Sequence, residues 1–246
     1  TIEANLTDLR AAVLASDADI GLGFDGDADR LGVITNRGDI IWPDRLMMFY
    51  VTDILARYPG APIVFDVKCS KGLTQHIQQL GGKPVMSPTG HSLIKAAMKQ
   101  QASPLAGEMS GHLFFKDRWY GFDDALYSAC RLLELLSRSP LTVSEQFALL
   151  PCFLSTPEIK IPIAEDKKFG FMKAFSAAPH FASADRILID GLRVEFESGW
   201  GLVRASNTTP CLVARFEANT PHALEEIQAV FRTALLALDD SLVLPF

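Results

Sequence analysis

The feature that most limits the possible folds is the alternation of helical and strand-like segments between residues 43 and 137. Helical spacing over Pro43–Tyr58, with a proline suited to the first helical turn, gives way to an apolar strand at Pro62–Val67. A helix over Ser70–Leu80 ends on Gly81-Gly82, and a short strand follows at Lys83–Met86. Then come a helix at His91–Gln101, strands at Pro104–Gly107 and His112–Phe115, and a long amphipathic helix over Phe122–Ser137. Strands separated by helices fit a parallel or mostly parallel sheet with helices on both faces. After Pro151 the pattern changes. Strands are expected at Pro157–Ile163, Arg186–Ile189, Leu192–Phe196, Val203–Ala205 and Cys211–Glu217, with helices at Lys168–Ala177 and Pro221–Leu238. Gathered strands with few helices predict an α+β domain, and the boundary falls near residue 151.

The opening segment is smaller. A helix at Leu6–Ser16 precedes strands at Ala18–Phe24 and Leu31–Thr35, an Asn36-Arg37-Gly38 turn and an extended stretch at Asp39–Trp42. This reads as an incomplete α/β domain whose other strands lie upstream. The chain also begins with Thr1 rather than Met, so a processed protein or a piece of a longer one is the expectation.

The 246 residues leave room for about two domains. A formal charge of −6 and the lack of a basic tract argue against a nucleic-acid partner. No apolar run nears the ~20 residues of a membrane span, and no secretory signal is visible. A cytoplasmic protein is expected. Cys69, Cys130, Cys152 and Cys211 are scattered without a CxxC pair, and read as small buried residues in a reducing compartment.

Chemistry concentrates in loops. In Asp25-Gly26-Asp27-Ala28-Asp29-Arg30, three carboxylates alternate with the smallest residues. Alternate residues of an extended segment point the same way. Like charges ~4 Å apart repel by about 4 kcal/mol near a protein surface. Converging carboxylates therefore want a divalent cation, and an all-oxygen set suits Mg²⁺ better than Zn²⁺. An EF-hand is excluded, because Arg30 and Asn36 stand where its Gly and Glu belong. The alternative is an acidic turn in water, where each repulsion shrinks to about 1 kcal/mol.

In Gly107-Glu108-Met109-Ser110-Gly111-His112, two glycines would let backbone approach a ligand. Glu108 and Ser110 could present an acceptor and a donor to two sugar hydroxyls, and His112 could bind phosphate or move a proton. A plain glycine turn is the other reading. Arg204-Ala205-Ser206-Asn207-Thr208-Thr209-Pro210 offers a guanidinium, hydroxyls and successive N–H groups suited to a phosphate, or to a polar hairpin loop. Nearby Gly199-Trp200-Gly201 suggests close backbone approach there. His91 opens a helix whose N-terminus attracts anions, although a lone histidine there also suits a structural role. Lys68 follows an apolar strand, where ligands bind in open α/β sheets. His76, His180 and His222 lie in polar contexts and take no role.

A DGDADR loop, then GEMSGH, then RASNTTP, in that order, resembles the α-D-phosphohexomutase family, and the similarity runs through the whole chain. GEMSGH and SNTTP resemble the mannose/glucose branch rather than the phosphoglucosamine branch. The resemblance implies residues 1–39 as the end of domain 2 with the metal loop, 40–151 as the three-layer sugar-binding domain 3, and 152–246 as the α+β phosphate-binding domain 4. It implies Asp25, Asp27 and Asp29 as Mg²⁺ ligands and Arg30 beside the reacting phosphoryl group. It further implies Glu108 and Ser110 on the sugar hydroxyls. His112, His91 and Lys68 would contact phosphate or assist proton movement. Arg204, Ser206, Asn207 and Thr208 would hold the non-reacting phosphate.

The implied activity is interconversion of hexose 1- and 6-phosphates of glucose or mannose, through a phosphoserine and a bisphosphorylated sugar. Partners would be those sugar phosphates, with no nucleic acid or membrane, in a protein monomeric when full length. One departure matters. The family's serine lies in a TASHNP-like loop, and neither Ser87-Pro88 nor Ser70-Lys71 resembles it. The chain by itself is therefore expected to be inactive. The alternatives are a non-catalytic sugar-phosphate-binding module, one half of a split enzyme, or a globular α/β protein with polar loops.

Overall fold

The structure, a computed structural model, describes residues 2–177, 181 and 184–246, and divides into two compact units, Thr1–Cys152 and Phe153–Phe246. His180 lies outside the described residues.

The first unit opens with a 3₁₀ turn at Glu3–Leu6 and helix α1 (Thr7–Ser16). Strands β1 (Ile20–Phe24), β2 (Leu31–Thr35) and β3 (Ile40–Ile41) follow as an antiparallel sheet in the order β1-β2-β3. Leu6, Val13 and Ile34 form the small core beneath α1.

Next come α2 (Pro43–Arg57), β4 (Pro62–Asp66), α3 (Lys71–Gln79), β5 (Lys83–Ser87), α4 (His91–Gln101), β6 (Leu105–Gly107), β7 (Leu113–Phe115), α5 (Ala125–Leu136) and α6 (Val143–Ala148). The sheet order is β5-β4-β6-β7; β4 runs parallel to β5 and β6, while β6 and β7 form an antiparallel hairpin. Strand alternation sends Ile63, Phe65, Leu105, Leu113 and Phe115 into the large core shared with α2, α3 and α5. Val64, Ala106 and Phe114 face the other way and pack on Ile94 and Met98 of α4. The expected three-layer arrangement is thus present. Each fully buried aliphatic side chain here contributes about 1.5–3 kcal/mol.

Two elements differ from expectation. The long helix starts at Ala125, not Phe122, because Asp124 caps it by accepting a hydrogen bond from Tyr127 N at 2.9 Å. Asp123 is extended instead, bridged to Phe114. Helix α6 was not expected, although Thr142 and Glu145 form a reciprocal capping box that the sequence displays.

The second unit carries β8 (Leu154–Ser155), β9 (Ile159–Pro162), α7 (Lys168–Ser176), β10 (Asp185–Ile187), β11 (Leu192–Glu195), β12 (Gly199–Ala205), β13 (Cys211–Ala218) and α8 (Pro221–Leu236). Its antiparallel sheet runs β10-β11-β12-β13-β8, with β9 also on β13. Helices α7 and α8 supply Phe175, Ile227 and Phe231 to its core. Thr220 caps α8.

Strand β12 begins four residues before the expected Val203, and this corrects the reading of Gly199-Trp200-Gly201. A side chain at Gly201 would lie 2.5 Å from the Phe231 ring, so the close approach there is to α8 and not to a ligand. The cysteines also need correction. All four are free, but only Cys69 and Cys211 are buried; Cys130 and Cys152 are exposed, on the outer side of α5 and after α6. Among the described residues, no helix is long and apolar enough to cross a membrane.

Candidate functional site

The acidic loop joins β1 to β2. Its carboxylates do converge: single oxygens of Asp25, Asp27 and Asp29 lie within 4.8 Å of one another. The cause is a turn rather than an extended segment. Ala28 N donates to Asp25 O at 3.1 Å, and Ala28 adopts a φ of +58°. Such a φ is unfavourable for alanine, and the loop is held in it from outside, since Ala28 O accepts from Ala125 N at 3.1 Å.

Arg30 lies against the same carboxylates, its Nε 2.7 Å from Asp25 Oδ2 and 3.5 Å from Asp29 Oδ1. Its backbone N also donates to Asp25 Oδ1 at 3.1 Å. Burial by itself would raise the Asp25 pKa; the Arg30 backbone hydrogen bond and charge overcome this and hold it below the usual carboxylate value. Asp25 is therefore a carboxylate at neutral pH. Asp29 Oδ1 is shielded from solvent without an in-line hydrogen bond. Three hard oxygen donors around one point fit a divalent cation of the Mg²⁺ type.

A second cluster meets this loop. His112, at the foot of β7, pairs its backbone with Arg30 in an antiparallel bridge. Its Nδ1 lies 3.2 Å from Asp123 Oδ2 and 3.5 Å from Asp29 Oδ2. His91, the first residue of α4, brings Nδ1 to 3.3 Å from the same Asp123 Oδ2. Lys95, one turn later on that face, reaches Asp123 Oδ1 at 3.3 Å. The structure thus brings His91 and His112 together, with ring centroids 5.8 Å apart.

The sugar-loop candidates sit between β6 and β7 in a turn closed by Gly111 N donating to Glu108 O at 3.1 Å. Both Glu108 oxygens are engaged. Oε1 accepts from Gly90 N at 2.9 Å, and Oε2 accepts from Ser110 Oγ at 2.8 Å. Each carboxylate oxygen has a second lone pair for a hydroxyl. The glycine expectation needs correction at Gly107, where a side chain would meet Met47 Sδ at 2.5 Å. That close approach is to α2 in the core.

Beneath this loop lies Asp66, fully buried at the end of β4. It accepts from Met109 N (3.1 Å), Thr89 Oγ1 (3.1 Å) and Cys69 Sγ (3.1 Å), and Lys68 Nζ is 3.7 Å away. One carboxylate therefore ties together the turns that carry Lys68, His91 and Glu108. The sequence reading gave no role to Asp66, Asp123 or Lys95. The signal for Asp66 was its place after an apolar strand; Asp123 lay inside a stretch read as helix.

The phosphate-loop candidates belong to the second unit, at the β12–β13 hairpin. Buried Arg204 pairs its Nε with Asp190 Oδ2 at 2.8 Å. Its NH2 atom is buried without an in-line partner. Ser206 Oγ accepts from Thr208 N at 3.3 Å and Thr209 N at 3.2 Å, and lies 2.7 Å from Thr209 Oγ1. Asn207 and Thr208 are exposed at the tip. Lys168 Nζ donates to Thr209 O at 3.2 Å, supporting the loop from α7.

Comparison with known proteins agrees with both units. The family model for phosphoglucomutase/phosphomannomutase alpha/beta/alpha domain III matches residues 42–153, and that for the C-terminal domain of the same family matches residues 158–234. The chain belongs to the phosphoglucomutase/phosphomannomutase family. It is 54% identical over 242 residues to a phosphomannomutase/phosphoglucomutase of Pseudomonas aeruginosa, covering 98% of this chain and 52% of that protein. It is 51% identical to a phosphoglucomutase of Neisseria meningitidis, with coverages of 98% and 52%. A crystal structure of a phosphoglucomutase/phosphomannomutase family protein from Burkholderia thailandensis superposes with a TM-score of 0.93 at 49% identity, covering 99% of this chain and 52% of that one. The chain thus spans about half the length of the curated relatives it matches.

Proposed function

We propose that these residues supply the metal, sugar and phosphate loops of a phosphohexomutase that interconverts the 1- and 6-phosphates of glucose and mannose through a phosphoserine and a bisphosphorylated sugar. The observation that carries this reading is the meeting of an acidic loop, two histidines and a buried sugar-type hairpin within one unit. In this reading residues 1–39 end a metal-binding domain, 40–151 bind the sugar and 152–246 bind phosphate.

Asp25, Asp27 and Asp29 would hold Mg²⁺, which when bound neutralises charge on a transferring phosphoryl group. Arg30 places a guanidinium beside that charge. Glu108 and Ser110 orient the sugar by its hydroxyls. His112 takes the proton from the hydroxyl that is phosphorylated and returns it on the reverse step. His91 and Lys68 add positive or donor groups for the substrate's phosphate. Arg204, Ser206, Asn207 and Thr208 grip the phosphate that is not being transferred, and hydrogen-bond donors serve this better than a shaped pocket because either end of the sugar must fit.

No serine in this chain matches the family's nucleophile loop, so the phosphoserine belongs to another segment of the protein and these residues alone bind without turnover. A sugar-phosphate module or a split enzyme would carry the same loops. The intact mass of the protein from its source cells decides between them. A mass near twice that of this chain is expected. A mass equal to it would favour the module or the split enzyme, and turnover by these 246 residues alone would refute the assignment of the nucleophile elsewhere.

A further inference from the structure

We propose that Asp190 is the positioning residue of Arg204: its carboxylate accepts the Nε–H of the guanidinium and so keeps the terminal Nη1/Nη2 edge for an incoming phosphate. The proposal rests on the reading of residues 204–210 as the loop that grips a sugar phosphate. Asp190 lies outside that loop, on the turn between β10 and β11.

Three observations support the role. First, backbone packing fixes the turn beside Arg204. Leu192 of β11 pairs with Val203 of β12, which brings the preceding Gly191 onto Arg204. That approach admits only glycine: φ is +77°, and a side chain would strike Val203 O and lie 2.7 Å from Arg204 Cα. The residue after Asp190 thus sets where its carboxylate starts from. Second, the guanidinium is held at one nitrogen and open at another. Arg204 Nε donates to Asp190 Oδ2 at 2.8 Å, with the two side chains 6% and 16% exposed. Nη2 is shielded from solvent and makes no in-line hydrogen bond among the described residues. A buried donor left unmade is costly, and a phosphate oxygen is an acceptor that suits the planar fork. Because the guanidinium is planar, a bond at Nε also fixes the direction of its terminal edge. Third, Val203 and Ala205 enter the core of this unit, so Arg204 stands on the opposite face of the sheet, at its hairpin end. A long side chain ordered only on binding loses affinity, and the Asp190 bond orders this one in advance. Charge by itself argues the other way, since a carboxylate beside an anion site repels the anion. Orientation and charge therefore predict opposite signs for the removal of Asp190.

The test substitutes Asp190→Ser, which keeps a residue suited to a turn but is too short to reach Nε. Inorganic phosphate is titrated into ¹⁵N-labelled chain, and the Arg204 Nε–H signal, assigned with Arg204→Lys, is followed. The indole N–H of Trp200, which is buried and donates to Glu217 Oε1 at 2.9 Å, reports an intact second unit. Asp190→Ala replaces the serine variant if that signal is lost. Expected in the native chain is an Nε–H protected from exchange that shifts with phosphate. In Asp190→Ser the protection should vanish and phosphate should bind about tenfold more weakly, although a negative charge has gone. Asp190→Asn, whose amide oxygen still accepts from Nε, should bind phosphate as the native chain does or more tightly. In the full-length protein Asp190→Ser should raise KM for hexose phosphates with kcat nearly unchanged, as for an interaction common to ground and transition states. Unchanged or tighter phosphate binding in Asp190→Ser, with Trp200 intact, overturns the proposal. So does an Asp190→Asn variant as weak as Asp190→Ser. An Arg204 signal that phosphate leaves unmoved in the native chain refutes the phosphate loop itself, and the role of Asp190 with it.

Discussion

Arg131→Met tests the ionic network that ties α5 to α2 and to the loop after β7. Arg131 is 3% exposed. Its NH1 donates to Asp117 Oδ2 at 2.9 Å and to Asp117 O at 3.3 Å, and NH2 donates to Asp53 Oδ2 at 3.0 Å. The guanidinium also lies 4.9 Å from the Phe115 ring centroid. Methionine fills much of the same space without charge. Removing one partner of a buried pair costs about 3–5 kcal/mol when the other charge is left alone. Here neither carboxylate is left alone. Asp117 keeps Arg57 at 2.6 Å and Tyr58 OH at 3.0 Å, and Asp53 keeps Arg57 and Arg138. The expected loss is therefore at the low end, about 3 kcal/mol, or about 6–12 °C in the melting temperature of a domain of this size.

Calorimetry of the chain at pH 7 reads the shift in the transition of the first unit. The acid dependence gives an independent check. Burial would raise the pKa values of Asp53 and Asp117, but hydrogen bonds from arginines and, for Asp117, from Tyr58 outweigh it and hold both below the usual carboxylate value. A lowered folded pKa means stability that is present above the unfolded value and lost as pH falls through the folded one. The gap between native and variant protein should thus stay constant above about pH 4 and narrow only as pH falls through the lowered folded values beneath it. A loss under about 1 kcal/mol, as for an exposed pair, or a gap that widens as the pH falls, would refute the reasoning.

Asp27→Ala, at an exposed position in the acidic loop, should weaken Mg²⁺ binding more than tenfold while hexose phosphate binding persists; calorimetric titration with each ligand checks both. Glu108→Ala removes the acceptor of Gly90 N and Ser110 Oγ, so it should cost about 1–3 kcal/mol in stability and reduce discrimination between glucose and mannose phosphates, read from paired melting and binding curves. Gly191 has a φ of +77°, and a side chain there would lie 2.3 Å from Val203 O and 2.7 Å from Arg204 Cα. Gly191→Ala should therefore displace the Asp190–Arg204 pair and weaken phosphate binding, followed by ³¹P NMR, whereas Gly26→Ala, with open space around it, should not.

Local patterns were legible where local forces decide. The alternation over residues 43–137 corresponds to the β5-β4-β6-β7 sheet with its covering helices, and His91–Gln101 and Leu31–Thr35 have the expected ends. The misplaced start of α5 and the unexpected α6 were also local, since Asp124 and the Thr142/Glu145 box are capping signals visible in the sequence. The exposed Cys130 was not legible, because a small apolar residue type does not reveal which side of a helix faces the core.

By itself the sequence determined the order of the three polar loops and the strands and helices that present them, because apolar period and turn chemistry act over a few residues. Only the tertiary structure decided how the loops are held. The carboxylates converge through a turn whose Ala28 is held by Ala125, far along the chain. Asp66 gathers backbone and side chains from up to 43 residues away, and Asp123 reaches back 28 and 32 residues to Lys95 and His91. Such partners are chosen by which loop ends the packed sheet brings to one place. No spacing in the chain encodes that choice, since the free energy that selects it comes from burying the cores beneath.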